Sequence, residues 1–302
     1  LTQKHMDLAA SVQAVIETIV LRLTRGLVHE TGQMNLCLAG GVALNCSMNQ
    51  RLRLHFDLEE IFVQPAAHDA GTALGAAMEA HRVITGEMPS AKMTHAYWGP
   101  EYTSEQIESA LQAFGVPYSR AENLELEVAQ RIASSQVVCW YQGRSEFGPR
   151  ALGSRSILAD PRDRNMQARL NNIKQRQWWR PFGPSVLAGR EEEYFESAFH
   201  SPFMLFTLPV KESKKAEIPT VLHLDGTTRP QSVTAEANPR YHRMISHFDT
   251  ITGVPMVVNT SFNTGWEPIV ESPEDAIASF LQLGADALAI GDFIVERGSV
   301  SR

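Results

Sequence analysis

Leu8, Val12, Val15, Ile19 and Leu23 recur at steps of three and four residues through 6–28. That spacing marks one face of an amphipathic helix. A short apolar run then opens "MNLCLAGGVALNCSMNQRL" (34–52). It predicts a strand, with Gly40-Gly41 as the turn and a helix behind it. "IFVQPAAHDAGTALGAAMEAH" (61–81) repeats the plan: strand, Pro-bounded loop, helix. The alternation predicts α/β layers with parallel strands. The periodicity fails between Val83 and about Tyr102, where Gly86, Pro89, Gly99 and Pro100 fall. A domain boundary is expected near residue 95.

Beyond it, helices are expected over 104–114 and 124–134, and "VVCWYQG" (137–143) reads as a strand. "DRNMQARLNNIKQR" (163–176) reads as a helix with Asp163 as N-cap and Met166, Leu170 and Ile173 as its buried stripe. Arg169 and Arg176 lie to one side of that stripe and Lys174 to the other. "TGVPMVVNTSFN" (252–263) predicts a strand running into a loop. "SPEDAIASFLQLG" (272–284) predicts a capped helix, and "ADALAIGDFIVER" (285–297) closing strands.

A length of 302 residues favours two domains. No apolar run reaches the roughly 18 residues of a membrane span. No basic-then-apolar leader is visible, and Cys37, Cys46 and Cys139 lack metal-type spacing. A cytoplasmic protein with buried free thiols is expected. Because the chain starts at Leu1, a processed product or a piece of something longer is also expected.

Charge changes the picture. The chain carries a formal −7, yet 143–182 holds eight Arg and one Lys against three acids. The stretch is therefore +6 and the remainder −13. The global sign speaks against a general nucleic-acid binder. A positive island broken by glycine and proline suits a small, multiply charged anion.

Several places can carry chemistry. Gly40-Gly41 between strand and helix lets backbone amides approach a phosphate, or simply allows tight packing. Asn45 can bond a nucleotide or cap a turn. His68 and Asp69 follow a strand end, where Asp69 can ligate a metal or cap the next helix. In "GRSEFGPRALGSRSILADPR" (143–162), Arg144, Arg150 and Arg155 leave a strand end among glycines. Arginine forks suit phosphate or carboxylate. Lys174, Arg176 and Arg180 follow on and after one helix. "WWRPFGPS" (178–185) can wall a pocket, "DGTTRPQ" (225–231) adds Arg229, and "NTSFN" (259–263) adds Asn259 and Ser261.

"GRSEFGPRALGSRSILADPR", "WWRPFGPSVL", "DGTTRPQSV" and "VVNTSFNTGWEPIVESPEDA" together resemble the carboxyl-terminal domain of NodU/CmcH-type O-carbamoyltransferases. "LAGGVALNCSMNQRL" and "VQPAAHDAGTALGAA" resemble the second half of that family's first domain. The resemblance implies an α/β protein. A partial actin/Hsp70-like ATPase subdomain over 1–95 would be followed over 96–302 by a YrdC-like domain with a twisted open sheet. The second domain would form carbamoyl-adenylate from carbamoyl phosphate and ATP. The first would pass the carbamoyl group to a hydroxyl of a sugar or other small acceptor.

Carried over by motif, the resemblance implies Arg150, Lys174 and Arg180 as catalytic residues. It implies Arg144, Arg155, Arg229, Asn259 and Ser261 as ligands of carbamoyl phosphate and ATP. Gly40, Gly41 and Asn45 would hold a nucleotide in the first domain, and Asp69 a metal. ATP, Mg2+ and, in a full-length protein, Fe2+ are the implied cofactors. No nucleic-acid or membrane partner is implied, and a homodimer is left open. Gln177 stands where the family has an acid, and Trp266 where it has a glycine. The family's metal-binding HxxxH pair has no counterpart here, so a carboxyl-terminal fragment of a protein about twice as long is expected. Two rivals remain: a threonylcarbamoyl-adenylate synthase-like enzyme of tRNA modification, and a nucleotide-binding regulatory module without catalysis.

Overall fold

The computed structural model describes residues 1–88 and 92–299, so Pro89 of the expected linker lies outside the described residues. The chain divides into two compact units, Leu1–Ala91 with Leu205–Thr207, and Lys92–Met204 with Leu208–Arg302.

The first unit runs α1 (Gln3–Thr31), β1 (Asn35–Leu38), a 3-10 turn (Gly41–Leu44), α2 (Cys46–His55), β2 (Glu60–Val63) and α3 (Gly71–Thr85). The two strands pair in parallel, Leu36 opposite Ile61. Leu36, Met48 and Leu52 form a small core, with Ile16, Val20 and Leu21 of α1 against it.

α1 corrects the expectation for its apolar stripe. Leu8 (63% exposed), Val12, Val15, Ile19 and Leu23 (68%) all stand open. The helix turns Glu17 and Thr24 inward instead. Neighbouring polar groups account for this choice. Gln13 and Asn45 exchange side-chain hydrogen bonds at 3.2 and 2.8 Å, and Arg51 pairs with Glu17. Glu17 is tolerated inward because Gln13 and Arg51 both donate to it. Cys46 is buried as expected, whereas Cys37 is exposed on the open face of β1.

The second unit contains α4 (Ser104–Phe114), β3 (Ser119–Arg120), α5 (Leu124–Ala133), β4 (Val138–Tyr141), β5 (Arg155–Ala159), α6 (Met166–Ile173), β6 (Gly183–Leu187) and α7 (Glu191–Tyr194). There follow β7 (Leu208–Pro209), β8 (Thr227–Thr228), β9 (Gln231–Val233), α8 (Pro239–Thr252), β10 (Met256–Ser261), α9 (Pro273–Gln282), β11 (Ala287–Ile290) and β12 (Phe293–Glu296).

One eight-stranded sheet has the order β3-β12-β11-β4-β5-β10-β6-β9. Only β11–β4 and β6–β9 are parallel; the other neighbours run antiparallel. The parallel pairing expected from residues 34–81 is found in the first unit, and the second unit is an α/β fold around a mixed sheet. β4, β5, β6 and β11 are buried at every position. Strands buried on both faces lose the alternating pattern that would have announced their pairing. Each fully buried Ile or Val there contributes about 1.5–3 kcal/mol relative to exposure. α5 packs on α8, and α4 on α9.

The helix expected over 163–176 covers only Met166–Ile173, and its N-cap is Asn165 rather than Asp163. Asp163 accepts from the Asn165 amide at 2.9 Å, closing the turn before the helix. Among the described residues no helix is long and apolar enough to cross a membrane.

Candidate anion site of the second unit

β10 is the positioning element. It lies between β5 and β6, with Ser261 opposite Ser156 and Asn259 opposite Leu158 and Gly183. A strand turns every second residue to the same face, so Asn259 and Ser261 share one face.

Lys174, the C-cap residue of α6, is buried. Its Nζ donates to Ser261 O at 2.5 Å, Asn263 O at 2.8 Å and Asn263 Oδ1 at 2.9 Å. These partners are neutral oxygens. Burial pushes the ammonium down to about 7, with the positive charge of Arg176 acting the same way. The charge of Glu267 acts the other way, but the hydrogen bonds of the ammonium all go to neutral oxygens, and a buried cation so held favours an arriving anion. Ser261 Oγ in turn donates to Asn263 Oδ1 at 2.7 Å.

Further cations stand around it. The Arg176 guanidinium lies 4.3 Å from the centre of the Phe182 ring and donates to Asn171 Oδ1 at 2.7 Å. Burial, then the charges of Arg180 and Arg229, pull Arg176 below the usual guanidinium value. Arg180 also acts on Lys174. Lys174, Arg176, Arg180 and Arg229 are thus one electrostatic group, gathered from α6, the loop behind it and the β8–β9 connection. Gly183 permits part of this. A Cβ there would meet the Arg229 carbonyl oxygen at 2.4 Å.

A cavity of 460 Å³ opens between the loops after β4 and β10, lined by Glu146, Pro149, Arg155, Ser261, Asn263 and Glu271 among others. That volume falls in the range of small-molecule sites. Arg155 is fully buried. Its Nη1 donates to Gln142 O at 2.9 Å and Gly143 O at 3.1 Å. The guanidinium stacks 3.7 Å from the Tyr141 ring centre, and Nη2 sits 4.0 Å from Glu271 Oε1. Nε and Nη2 have no hydrogen-bond partner. Arg155 is therefore committed to structure through Nη1 and keeps two buried, unmet donors behind the cavity wall.

The remaining expected residues lie as follows. Arg150 is half-buried in the β4–β5 loop beside Pro149. Arg144 is exposed and donates to the Trp98 carbonyl at 3.1 Å. Asn259 is buried and donates to Ala151 O, Ser185 Oγ and Gln231 Oε1 at 3.2, 2.9 and 3.1 Å. Its Oδ1 has no partner. Trp266 and Gln177, the two departures, are both exposed. Gly265 beside Trp266 approaches the Lys174 carbonyl so closely that a Cβ would sit 2.8 Å from it.

Asn263, Glu146, Gln231 and Ser185 were missed by sequence reasoning. Asn263 closes the same "NTSFN" run as Ser261, and a buried lysine in need of acceptors is the signal that points to it. Glu146 is the single acid of the "GRSEFGPRALGSRS" run. Its Oε1 accepts the amides of Leu152, Ser154 and Arg155 at 2.6, 2.8 and 3.3 Å. Burial pushes this carboxyl up, against the amides that pull it down.

In the first unit, Asn45 is the N-cap of α2, its Oδ1 accepting from the Met48 amide at 3.1 Å. The capping reading is the one observed. Gly40 has φ +93°, and a Cβ on Gly40 or Gly41 would meet nothing within 4 Å. Tight packing therefore does not explain these glycines. Asp69 is exposed, and its side chain does not cap α3, whose N-cap is Ala70. Its carbonyl accepts from Thr72 Oγ1 at 2.6 Å. Among the described residues no group of three or more His, Cys, Asp or Glu could hold a metal ion. One exposed carboxylate does not fit a bound metal by itself.

Family models place both units. Residues 129–297 match the carbamoyltransferase C-terminus and 1–78 the carbamoyltransferase N-terminus. The chain belongs to the carbamoyltransferase family, of the NodU/CmcH type. It is 44% identical to the nodulation protein NolNO of Sinorhizobium fredii, over 99% of this chain and 45% of that protein. It is 32% identical to the 3'-hydroxymethylcephem-O-carbamoyltransferase of Amycolatopsis lactamdurans, over 87% of this chain and 49% of that protein. The chain thus spans about half the length of these curated relatives. Full-length HypF in its phosphate- and nucleotide-bound form aligns at a TM-score of 0.41 and 16% identity, over 61% of this chain and 23% of that one. A likeness that weak carries no argument.

Proposed function

We propose that this chain acts in ATP-dependent O-carbamoyl transfer, and that its second unit forms carbamoyl-adenylate. The observation that carries the proposal is Lys174: a buried ammonium held by neutral oxygens, grouped with Arg176, Arg180 and Arg229. Carbamoyl phosphate and ATP both present phosphates, and these repel one another on approach. Fixed positive charge offsets that repulsion and orients the reacting groups.

The net reaction balances as carbamoyl phosphate plus ATP plus water giving carbamoyl-adenylate, phosphate and pyrophosphate. Water first cleaves carbamoyl phosphate to carbamate and inorganic phosphate; the carbamate oxygen then forms a bond to the α-phosphorus, and the bond from that phosphorus to the bridging oxygen breaks. Pyrophosphate carries away the electron pair. Charge builds on the leaving pyrophosphate, where Lys174 and the arginines have their use. Asn259 Oδ1 supplies an unpartnered acceptor on the same face of β10. The adenylate would then pass its carbamoyl group to a hydroxyl of a small acceptor, with AMP leaving. Gly40 and Gly41 would admit a nucleotide to the first unit, because no neighbour fills the space beside them.

Isothermal titration with carbamoyl phosphate and with ATP tests the reading. Binding of both by the wild type, and loss of both in Lys174→Met, is the expected result. A folded chain that binds ATP and ignores carbamoyl phosphate would be a nucleotide-binding module and would contradict the proposal.

A further inference from the structure

The segment Ala151–Arg155 is held by side chains on almost every backbone polar group. Its carbonyls are bound from several elements. Asn259 Nδ2 donates to Ala151 O at 3.2 Å, and Gln231 Nε2 and the Tyr97 hydroxyl to Leu152 O at 2.6 and 2.8 Å. Trp140 Nε1 donates to Gly153 O at 2.9 Å. The amide side is different. Apart from Gly153, whose N–H goes to Ser156 Oγ, the amides of Leu152, Ser154 and Arg155 converge on one atom, Glu146 Oε1.

Three converging amides make a nest for an anion, and here the chain fills the nest with its own carboxylate. The contact joins residue 146 to residues 152–155, and so closes a ring of chain. Arg150 lies within that ring and Arg155 at its end. Gly148 and Pro149, on the same ring, line the cavity together with Glu146. On the amide side, the place of the loop against the cavity thus rests largely on one oxygen, Glu146 Oε1.

We infer that Glu146 is a positioning residue of the anion site: its carboxylate clamps the loop so that Arg150 and Arg155 are presented to the phosphorylated substrate. The inference rests on the anion-site reading of this unit. It names a role for one of the two acids, Glu146 and Glu271, that line the cavity. A glutamate placed to contact the anion itself would repel it. A glutamate whose Oε1 is committed to three amides turns its charge to the backbone, although the Arg155 charge still acts on it.

The test uses the full chain, with pyrophosphate and carbamoyl phosphate as separate titrants, in Glu146→Gln, Glu146→Asp and Glu146→Ala. Glutamine keeps a carbonyl oxygen that can accept the same three amides. Its Kd for pyrophosphate should stay within about threefold of wild type. Alanine removes the acceptor, and aspartate withdraws it by one methylene while keeping the charge. Both should weaken pyrophosphate by about tenfold or more, the scale of an ångström-sized misplacement.

Hydrogen exchange at Leu152, Ser154 and Arg155 should speed up in the aspartate and alanine variants and stay slow in the glutamine variant. A purely structural role would lower the melting temperature and leave the Kd of the folded protein unchanged. A wild-type Kd in folded Glu146→Asp or Glu146→Ala overturns the inference. Loss of affinity in Glu146→Gln equal to that in Glu146→Ala also overturns it, because charge rather than grip would then be at work. If Glu146→Ala does not fold, Glu146→Asp decides. A wild type that binds pyrophosphate but not carbamoyl phosphate contradicts the proposed reaction, while the pyrophosphate series still decides Glu146. A wild type that binds neither overturns both.

Discussion

Lys174 Nζ donates to the carbonyl oxygen of Ser261 at 2.5 Å, joining the end of α6 to the end of β10. Two segments 87 residues apart thus meet on one ammonium, and Asn263 completes its shell. Replacing Lys174 by Met removes the charge and keeps most of the volume. Pyrophosphate or carbamoyl phosphate affinity should fall by about 1.5–3 kcal/mol, the range for hydrogen bonds to charged groups. Calorimetry on the folded variant checks this, and unchanged affinity would remove Lys174 from the site.

The depressed value of Lys174 sets a pH dependence. It falls to about 7 in the folded chain, against about 10.4 for an unfolded lysine. Between these values the unfolded chain binds a proton that the folded chain lacks, so stability should rise with pH. The contribution is complete above the unfolded value and is lost as pH falls to about 7. Its slope in the window is about 1.4 kcal/mol per pH unit for one proton. Urea melts of wild type and Lys174→Met from pH 7 to 10 check the sign, with the smaller slope expected in the variant. Anion binding should move the other way and weaken as pH rises through 7, because the ammonium is what the anion meets.

Gly153 occupies a position no other residue suits. Its φ is +102°, and a Cβ would sit 2.1 Å from Cδ1 of the buried Tyr241 ring. Gly153→Ala should cost about 3 kcal/mol or more, combining backbone strain with overpacking. Chemical denaturation measures it; a loss below about 1 kcal/mol would mean the ring has room to move.

Much of this was legible in the sequence, and the failures share a cause. The period of α1 and the strand–Gly-Gly–helix plan of 34–52 are local signals, and both elements formed. The basic run around Arg150, the "NTSFN" run and Lys174 pointed to an anion, and Lys174 and Ser261 do meet. What could not be read was which face of α1 turns inward, because that depends on Gln13 and Glu17 finding Asn45 and Arg51. Strand order was also hidden, since the β4–β11 and β5–β10 pairings join distant segments, and β4, β5 and β11 are buried at every position and show no alternation. Arg144 shares the composition of its neighbours, but a carbonyl of Trp98 holds it at the surface. Glu146 looked like a stray acid because its partners are backbone amides, which no residue pattern displays.

Gly41 separates a ligand role from a structural one in the first unit. It has neither a positive φ nor a neighbour within 4 Å of a Cβ. Gly41→Ala should therefore leave stability within about 0.5 kcal/mol, yet lower nucleotide affinity if backbone approaches phosphate there. Asn45→Ala should cost about 1 kcal/mol through loss of the α2 cap. Thermal melts with and without ATP read both variants; a Gly41→Ala chain with unaltered nucleotide affinity would assign this loop no ligand.

The central claim is that the second unit joins carbamoyl phosphate and ATP. Pyrophosphate release measured with each substrate alone and with both tests it most directly, run beside Lys174→Met. Release that requires both substrates, and that drops at least about 100-fold in the variant, is the predicted result. Release independent of carbamoyl phosphate, or none from a folded chain shown to bind both, would contradict the account.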